Sequence, residues 1–220
     1  MATFAQSHSK HSNDPSDSSD TGVSLNPYKI TAALTAGLLL LAFTPRVQSN
    51  ATLAYSVIGA ALALGAWQIF QILTARWSGQ TFGFKLVVRR QHYIQMMVQF
   101  SVYLYWGYYW RPVYDHLWLL AAQVLFAFSF DMLLSWSRKR DYTLGFGPIP
   151  IIFSTNLFMW FRDDWFYLQF LMIAVGFMGK EYVRWQREGR NVHIFNPSAF
   201  ALGVFSCLLY TSDAADDETS

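Results

Sequence analysis

Two polar triplets set inside apolar runs hold most of the chemistry this chain can offer. The first is Asn196-Pro197-Ser198, in the phrase HIFNPSAF. Asparagine caps helices and proline fits the first helical turn, so a helix is expected to begin at Pro197. A helix start offers unbonded N–H groups and a partial positive charge, suited to an anion, a phosphate or the electron-rich edge of a flavin. The plainer alternative is an ordinary capped membrane helix. The second triplet is Ser154-Thr155-Asn156, in GFGPIPIIFSTNLFMWF, which opens with two prolines two residues apart. Such a segment is either a discontinuous helix lining a binding cavity, or a short helix whose polar side chains bond its own carbonyls or a neighbour.

Asp131 is the one carboxylate within an apolar run, and an acid at that depth is a functional hypothesis by default. Arg138, Lys139 and Arg140 follow closely, so reaching the interface or pairing with one of them is the expected role. His92 and His116 flank one apolar segment, which puts them on opposite sides of a membrane and prevents them from sharing an iron; His92 with His193 is the pairing left open. His8 and His11 belong to a solvated tail. The single cysteine, Cys207, excludes an intrachain disulfide and a cysteine-based cluster within this chain. No nucleophilic triad, phosphate loop or dinucleotide fingerprint is present.

The elements that must position these residues are apolar. The chain is 53% hydrophobic and 14% charged, against about 25% charged in an average soluble domain. Mean hydropathy is only +0.20, because it averages in polar tails and scores Trp and Tyr as polar although both favour membrane interfaces. Six apolar segments follow a Ser/Asp/His-rich stretch at 1–26 that reads as a disordered tail. They run from Tyr28 to Val47, Ala51 to Leu73, Tyr93 to Trp110, His116 to Trp136, Ile149 to Phe161 and Trp165 to Met178. The fifth makes only about 20 Å of helix, so it is expected to be broken or continued by irregular chain. Of the 16 Lys and Arg, all but Arg46, Arg111 and Arg162 fall in the tail and the second, fourth and sixth loops. The positive-inside rule then places the N-terminus in the cytoplasm. The basic stretch RWSGQTFGFKLVVRR reads as a loop on anionic headgroups, and a net charge of +2 gives no reason to expect nucleic acid as a partner.

The stretch KEYVRWQREGRNVHIFNPSAFALGVFS, with FGPIPIIFSTNLFMWFRDDWFYLQFLMIAVGFMGKE before it, resembles the D-type membrane protein of the RNF electron-transport complex and its B-type counterpart in the sodium-pumping NADH:quinone reductase. Standalone, enediyne-cluster-like members look nearer than the true components of those complexes. The resemblance covers roughly Arg90 to Ser206, with HIFNPSAF its specific part. It implies an all-α, polytopic membrane protein of ten helices in two inverted repeats, and electron transfer through FMN or riboflavin with other membrane subunits as partners. It also implies a bacterial inner-membrane location. The family's S-G-A-T phrase for covalent flavin attachment is missing from this sequence, and RDYTLGFGPIP departs from the usual phrase at that place. On this resemblance Ser154, Thr155, Asn156, Asn196, Pro197 and Ser198 are expected to line a cofactor cavity at the repeat interface, with Lys180 and His193 at its cytoplasmic mouth. A non-redox channel or transporter-like scaffold of the same fold is the alternative.

The last residues, CLLYTSDAADDETS, resemble translated sequencing adapter. The expected organisation is a cytoplasmic tail at 1–26, a transmembrane domain at 27–206 forming a first repeat, and a non-native tail at 207–220. That gives six spans and a seventh helix, begun at Pro197, that is cut or re-entrant.

Overall fold

The computed structural model describes residues 27–78, 83–87, 89–138, 141–159, 165–187, 190–193 and 195–217; the expected tail at 1–26 lies outside them. The described chain is all-α apart from two small β-ladders. Its elements are α1 (Pro27–Ala42), α2 (Pro45–Gln48), α3 (Ala51–Ser78), β1 (Phe84–Leu86), α4 (Arg90–Tyr109), α5 (Pro112–Asp115), α6 (Leu117–Ser137), β2 (Tyr142–Leu144), α7 (Pro148–Met159), α8 (Phe166–Tyr182), β3 (Arg184–Arg187), β4 (Arg190–His193) and α9 (Pro197–Asp217). Five of the seven prolines open a helix, where the missing N–H costs nothing and the fixed φ is already helical. Asn50 caps α3 by accepting the Leu53 N–H at 3.0 Å.

Each expected apolar segment overlaps a helix, and the first, Tyr28 to Val47, is divided between α1 and α2 at Phe43 and Thr44. Two of these helices, over Ala51–Ala75 and Leu117–Ser137, are long and apolar enough to cross a membrane by length and composition, while Tyr28–Ala42, Pro148–Met159 and Pro197–Leu208 are shorter apolar stretches. Of the fifth segment, the described part is one unbroken helix of 12 residues, Pro148–Met159, entered through irregular chain at Gly145–Gly147, and Trp160 and Phe161 lie outside the described residues. At the other end α9 does not stop with its apolar run at Tyr210 but continues to Asp217. No proline or glycine follows Gly203 to end it.

α6 is the centre of the bundle. Leu119, Ala122, Met132 and Leu133 on it are fully buried, packed among α1, α3, α7 and α8. α4 lies outermost, with only Tyr103 and Gly107 buried, against α7 and α5. α9 packs on α8 through Met172, Ala201 and Phe205. The approach is close: a Cβ at Gly176 would sit 3.0 Å from the Pro197 carbonyl oxygen.

One end of the bundle is fastened by the loops. β1 and β2 pair in parallel, Phe84 opposite Tyr142 and Leu86 opposite Leu144, which joins the loop after α3 to the loop after α6. The loop after α6 is tied in turn to the end of α8, where Arg138 meets Glu181 at 3.7 Å. β3 and β4 form an antiparallel hairpin beyond α8. Neither ladder is signalled in the sequence, since each strand is three or four residues long.

Gly145 closes the β1–β2 clip, and a methyl added there would lie 2.7 Å from the rigid backbone oxygen of Val87. Gly145→Ala is therefore expected to destabilise the protein by about 1–3 kcal/mol. Gly59→Ala, with nothing within 4 Å of its new methyl, is expected to be neutral or stabilising by up to about 1 kcal/mol. Thermal unfolding of the two variants side by side checks the pair.

Candidate functional site

Most of the polar residues inside the bundle are amides, and each of those amides ties one helix to another. Gln68 on α3 donates to the Tyr28 carbonyl at the start of α1 at 3.1 Å, and Gln71 donates to the Leu133 carbonyl of α6 at 2.8 Å. Thr31 on α1 reaches the Met132 sulfur of α6 at 2.9 Å. α4 is held to α7 by Gln99, whose Nε2 donates to Ser154 Oγ at 2.8 Å, and by Tyr103, whose hydroxyl donates to the Phe153 carbonyl at 2.8 Å. On the other side of α7, Asn156 Nδ2 donates to Gln123 Oε1 of α6 at 2.5 Å, and Gln123 Nε2 donates to Gln169 Oε1 of α8 at 2.9 Å. All three of these amides are fully buried.

The expected cofactor residues divide accordingly. Ser154 serves the α4–α7 contact. Thr155 is fully buried and bonds its own helix, donating to the Ile151 carbonyl at 2.9 Å. Asn156 serves the α6–α7–α8 contact. Asn196 and Pro197 form a capped helix start as expected: Asn196 Oδ1 accepts from the Ser198 N–H at 3.2 Å and from the Ser198 hydroxyl at 2.9 Å. The two triplets lie at different depths. Asn156 is joined through Gln123 to Gln169, whereas Pro197 packs beside Gly176, seven residues or about 10 Å farther along α8. The glutamines were not singled out from the sequence, although each interrupts an apolar run, as in AWQIFQIL, AAQVLF and YLQFLM. An amide in such a run needs a partner; the run itself does not say which.

A second polar group collects at the fastened end. Of the expected partners of Asp131, Arg138 turns instead to Glu181 and stacks on Tyr182 at 4.8 Å, and Lys139 and Arg140 lie outside the described residues; the described groups that act on Asp131 are Lys180, Tyr142 and Glu181. Arg184 also pairs with Glu181. A Cβ placed on Gly147 would lie 3.4 Å from His92 Nδ1 and 4.0 Å from Lys180 Nζ, so these two face one gap. His193 is on β4, but its side chain lies outside the described residues. His116 is at the opposite end of α4 from His92 and bonds the Pro112 carbonyl at 2.7 Å. Among the described residues no group of three or more His, Cys, Asp or Glu is arranged to hold a metal ion.

Tyr142 is buried at 2% exposure, and its hydroxyl makes no well-formed hydrogen bond although Asp131 is beside it. Burial first, and the Asp131 charge second, push its phenol above the ordinary value.

No protein family, curated protein or solved structure matches the chain. The fit of a flavin therefore rests on the residues themselves. Two apolar grooves are present, of about 370 Å³ between α3, α6 and α8 and about 480 Å³ between α4 and α7, and neither is lined by any of the six expected cofactor residues. Ser154, Thr155 and Asn156 are bonded to protein, and Asn196 to its own helix start. As arranged, the six side chains do not make a flavin cradle.

Two outcomes are expected. Asn156→Leu leaves the inward-facing Gln123 oxygen without its donor and should cost about 1–3 kcal/mol, whereas Asn196→Ala removes only a cap and should cost about 0.5–2 kcal/mol; chemical unfolding in detergent orders them. For Tyr142 the sign follows from the raised phenol. Its contribution to stability is complete below about pH 10, where the unfolded phenol titrates, and is lost as pH rises beyond that value. Alkaline melting curves should show this fall in the parent protein and a shallower one in Tyr142→Phe.

Proposed function

We propose that this chain is a multi-pass membrane unit of a flavin-dependent electron-transport system of the RNF and NADH:quinone reductase kind, acting as its helical scaffold. On this reading it is the first inverted repeat of a ten-helix fold in a bacterial inner membrane, with six spans, a cytoplasmic N-terminus and α9 as the seventh helix. The observation that carries the membrane part is the contrast between outside and inside. α3 turns Leu62, Ile69 and Phe70 outward at 63%, 61% and 63% exposure, while its Gln68 and Gln71 point into the bundle. Apolar outer faces with amides between helices suit a lipid solvent. The alternation of crossings is supported by the meeting of the loops after α3, α6 and α8 at one end, because these are the loops rich in Lys and Arg.

Electron transport rests on the resemblance at HIFNPSAF, with the lipid bilayer and other subunits as partners and flavin carried outside the six residues described above. One observation favours a second reading, a non-redox channel or transporter-like scaffold: the polar side chains that would hold a cofactor already hold helices together.

Two measurements test these readings. In a Cys207→Ser background, a cysteine at Ser49 should react with an impermeant thiol reagent only from outside the cell, and one at Ser137 only from the cytoplasmic side. Reaction of both from one side would end the six-span reading. Purified protein that shows flavin absorbance and quinone-linked electron transfer supports the electron-transport reading; flavin-free protein supports the scaffold.

A further inference from the structure

We infer that the chain Asn156–Gln123–Gln169, where α6, α7 and α8 meet, is a binding site for one neutral, water-sized molecule that both donates and accepts a hydrogen bond, namely a buried water. The inference goes beyond the proposed function and holds under either reading of it.

The amide chain has a fixed direction. Asn156 Nδ2 donates to the backbone oxygen of Ile152 at 2.9 Å as well as to Gln123 Oε1. A carbonyl only accepts, so the nitrogen of Asn156 must face it, and turning that amide over would set oxygen against oxygen at both contacts. With Asn156 fixed, Gln123 must present its oxygen to it and its nitrogen to Gln169. Gln169 must then present its oxygen. A single backbone carbonyl thus sets the orientation of all three side chains, and no flip of an amide removes what remains.

What remains is one acceptor and one donor. Asn156 Oδ1 and Gln169 Nε2 are each shut away from solvent and without a partner, on residues that are themselves fully buried. Buried amide atoms are costly to leave unmet, and buried waters typically settle where two to four such groups are within reach. The chemistry also excludes charged occupants. A single molecule that meets both atoms has to donate to the Asn156 oxygen and accept from the Gln169 N–H group, and neither a bare cation nor a bare anion can do both. A neutral molecule with both an O–H and a lone pair satisfies the two together, and Gln123 has a second amide hydrogen and a second lone pair to add.

The test uses the full chain in lipid bilayers, labelled at glutamine and asparagine side chains, with solid-state NMR transfer of magnetisation from water to the side-chain amides. Gln71 is the internal reference, because its amide is bonded directly to a backbone carbonyl. Transfer to Gln169 Nε2 several-fold faster than to Gln71 Nε2 is expected. Equal, slow transfer at both would overturn the inference and leave a dry cluster. In Gln169→Met, which removes the unmet donor, the water contact at the Asn156 side chain should also be lost. Its persistence there would show that no single molecule joins the two, and would equally overturn the inference. The comparison within the parent protein needs no variant to fold.

Discussion

A buried amide must find its partners inside the protein, and that requirement fixes this bundle. Apolar helix faces pack in many registers at similar cost, and in lipid there is no hydrophobic drive to choose among them. Five glutamines and one asparagine remove the freedom. Gln68 sets α3 against α1, Gln71 sets α3 against α6, Gln99 sets α4 against α7, and Gln123 with Asn156 and Gln169 sets α6, α7 and α8 together. Sliding any of these helices by one residue, about 1.5 Å, would break a bond of 2.5 to 3.1 Å and strand a polar group. α7 depends on this most. It is 12 residues long, too short to hold its place by area, and it carries bonds to neighbours on both sides.

Much of this architecture was legible in the sequence and some was not, for physical reasons. Helix positions follow from apolar runs and from prolines whose lack of an N–H is harmless only at a helix start, and so Pro27, Pro45, Pro112, Pro148 and Pro197 all mark beginnings. The Asn196 cap is local, made with a residue two positions away, and was therefore readable. The amide pairs are not local: Gln123 and Gln169 are 46 residues apart, and Gln71 bonds a carbonyl 62 residues away. Nothing in a single sequence links such positions. For the same reason the influence of Lys180 and Tyr142 on Asp131, 49 and 11 residues away in the chain, was not legible, whereas the basic run that follows Asp131 was. The β1–β2 clip was hidden because a three-residue strand has too little pattern to announce itself.

The expected cofactor residues show how one composition serves two purposes. Ser, Thr and Asn in the middle of an apolar helix read equally well as a cavity lining or as fasteners, because both need hydrogen-bonding groups at depth. Geometry separates the two: a cavity lining points its groups at a common space, whereas Ser154 and Asn156 point to opposite sides of α7 and are met there by other side chains.

The two ends of the bundle are secured by different forces, and this bears on how it responds to its surroundings. At one end the links are ionic and partly exposed, Arg138 and Arg184 sharing Glu181, with side-chain exposures of 33%, 30% and 15%. Exposed pairs of this kind contribute about 0–1 kcal/mol and weaken as salt rises. At the other end, near the start of α8, the links are neutral amides sealed from solvent, which salt does not screen. The charged end is also the one that carries the ladders and the gap between His92 and Lys180. Among the described residues α8 meets α6 there both through the Arg138–Glu181 pair and through the packing of buried Phe177 against Phe130, so salt acts on the first contact and leaves the second.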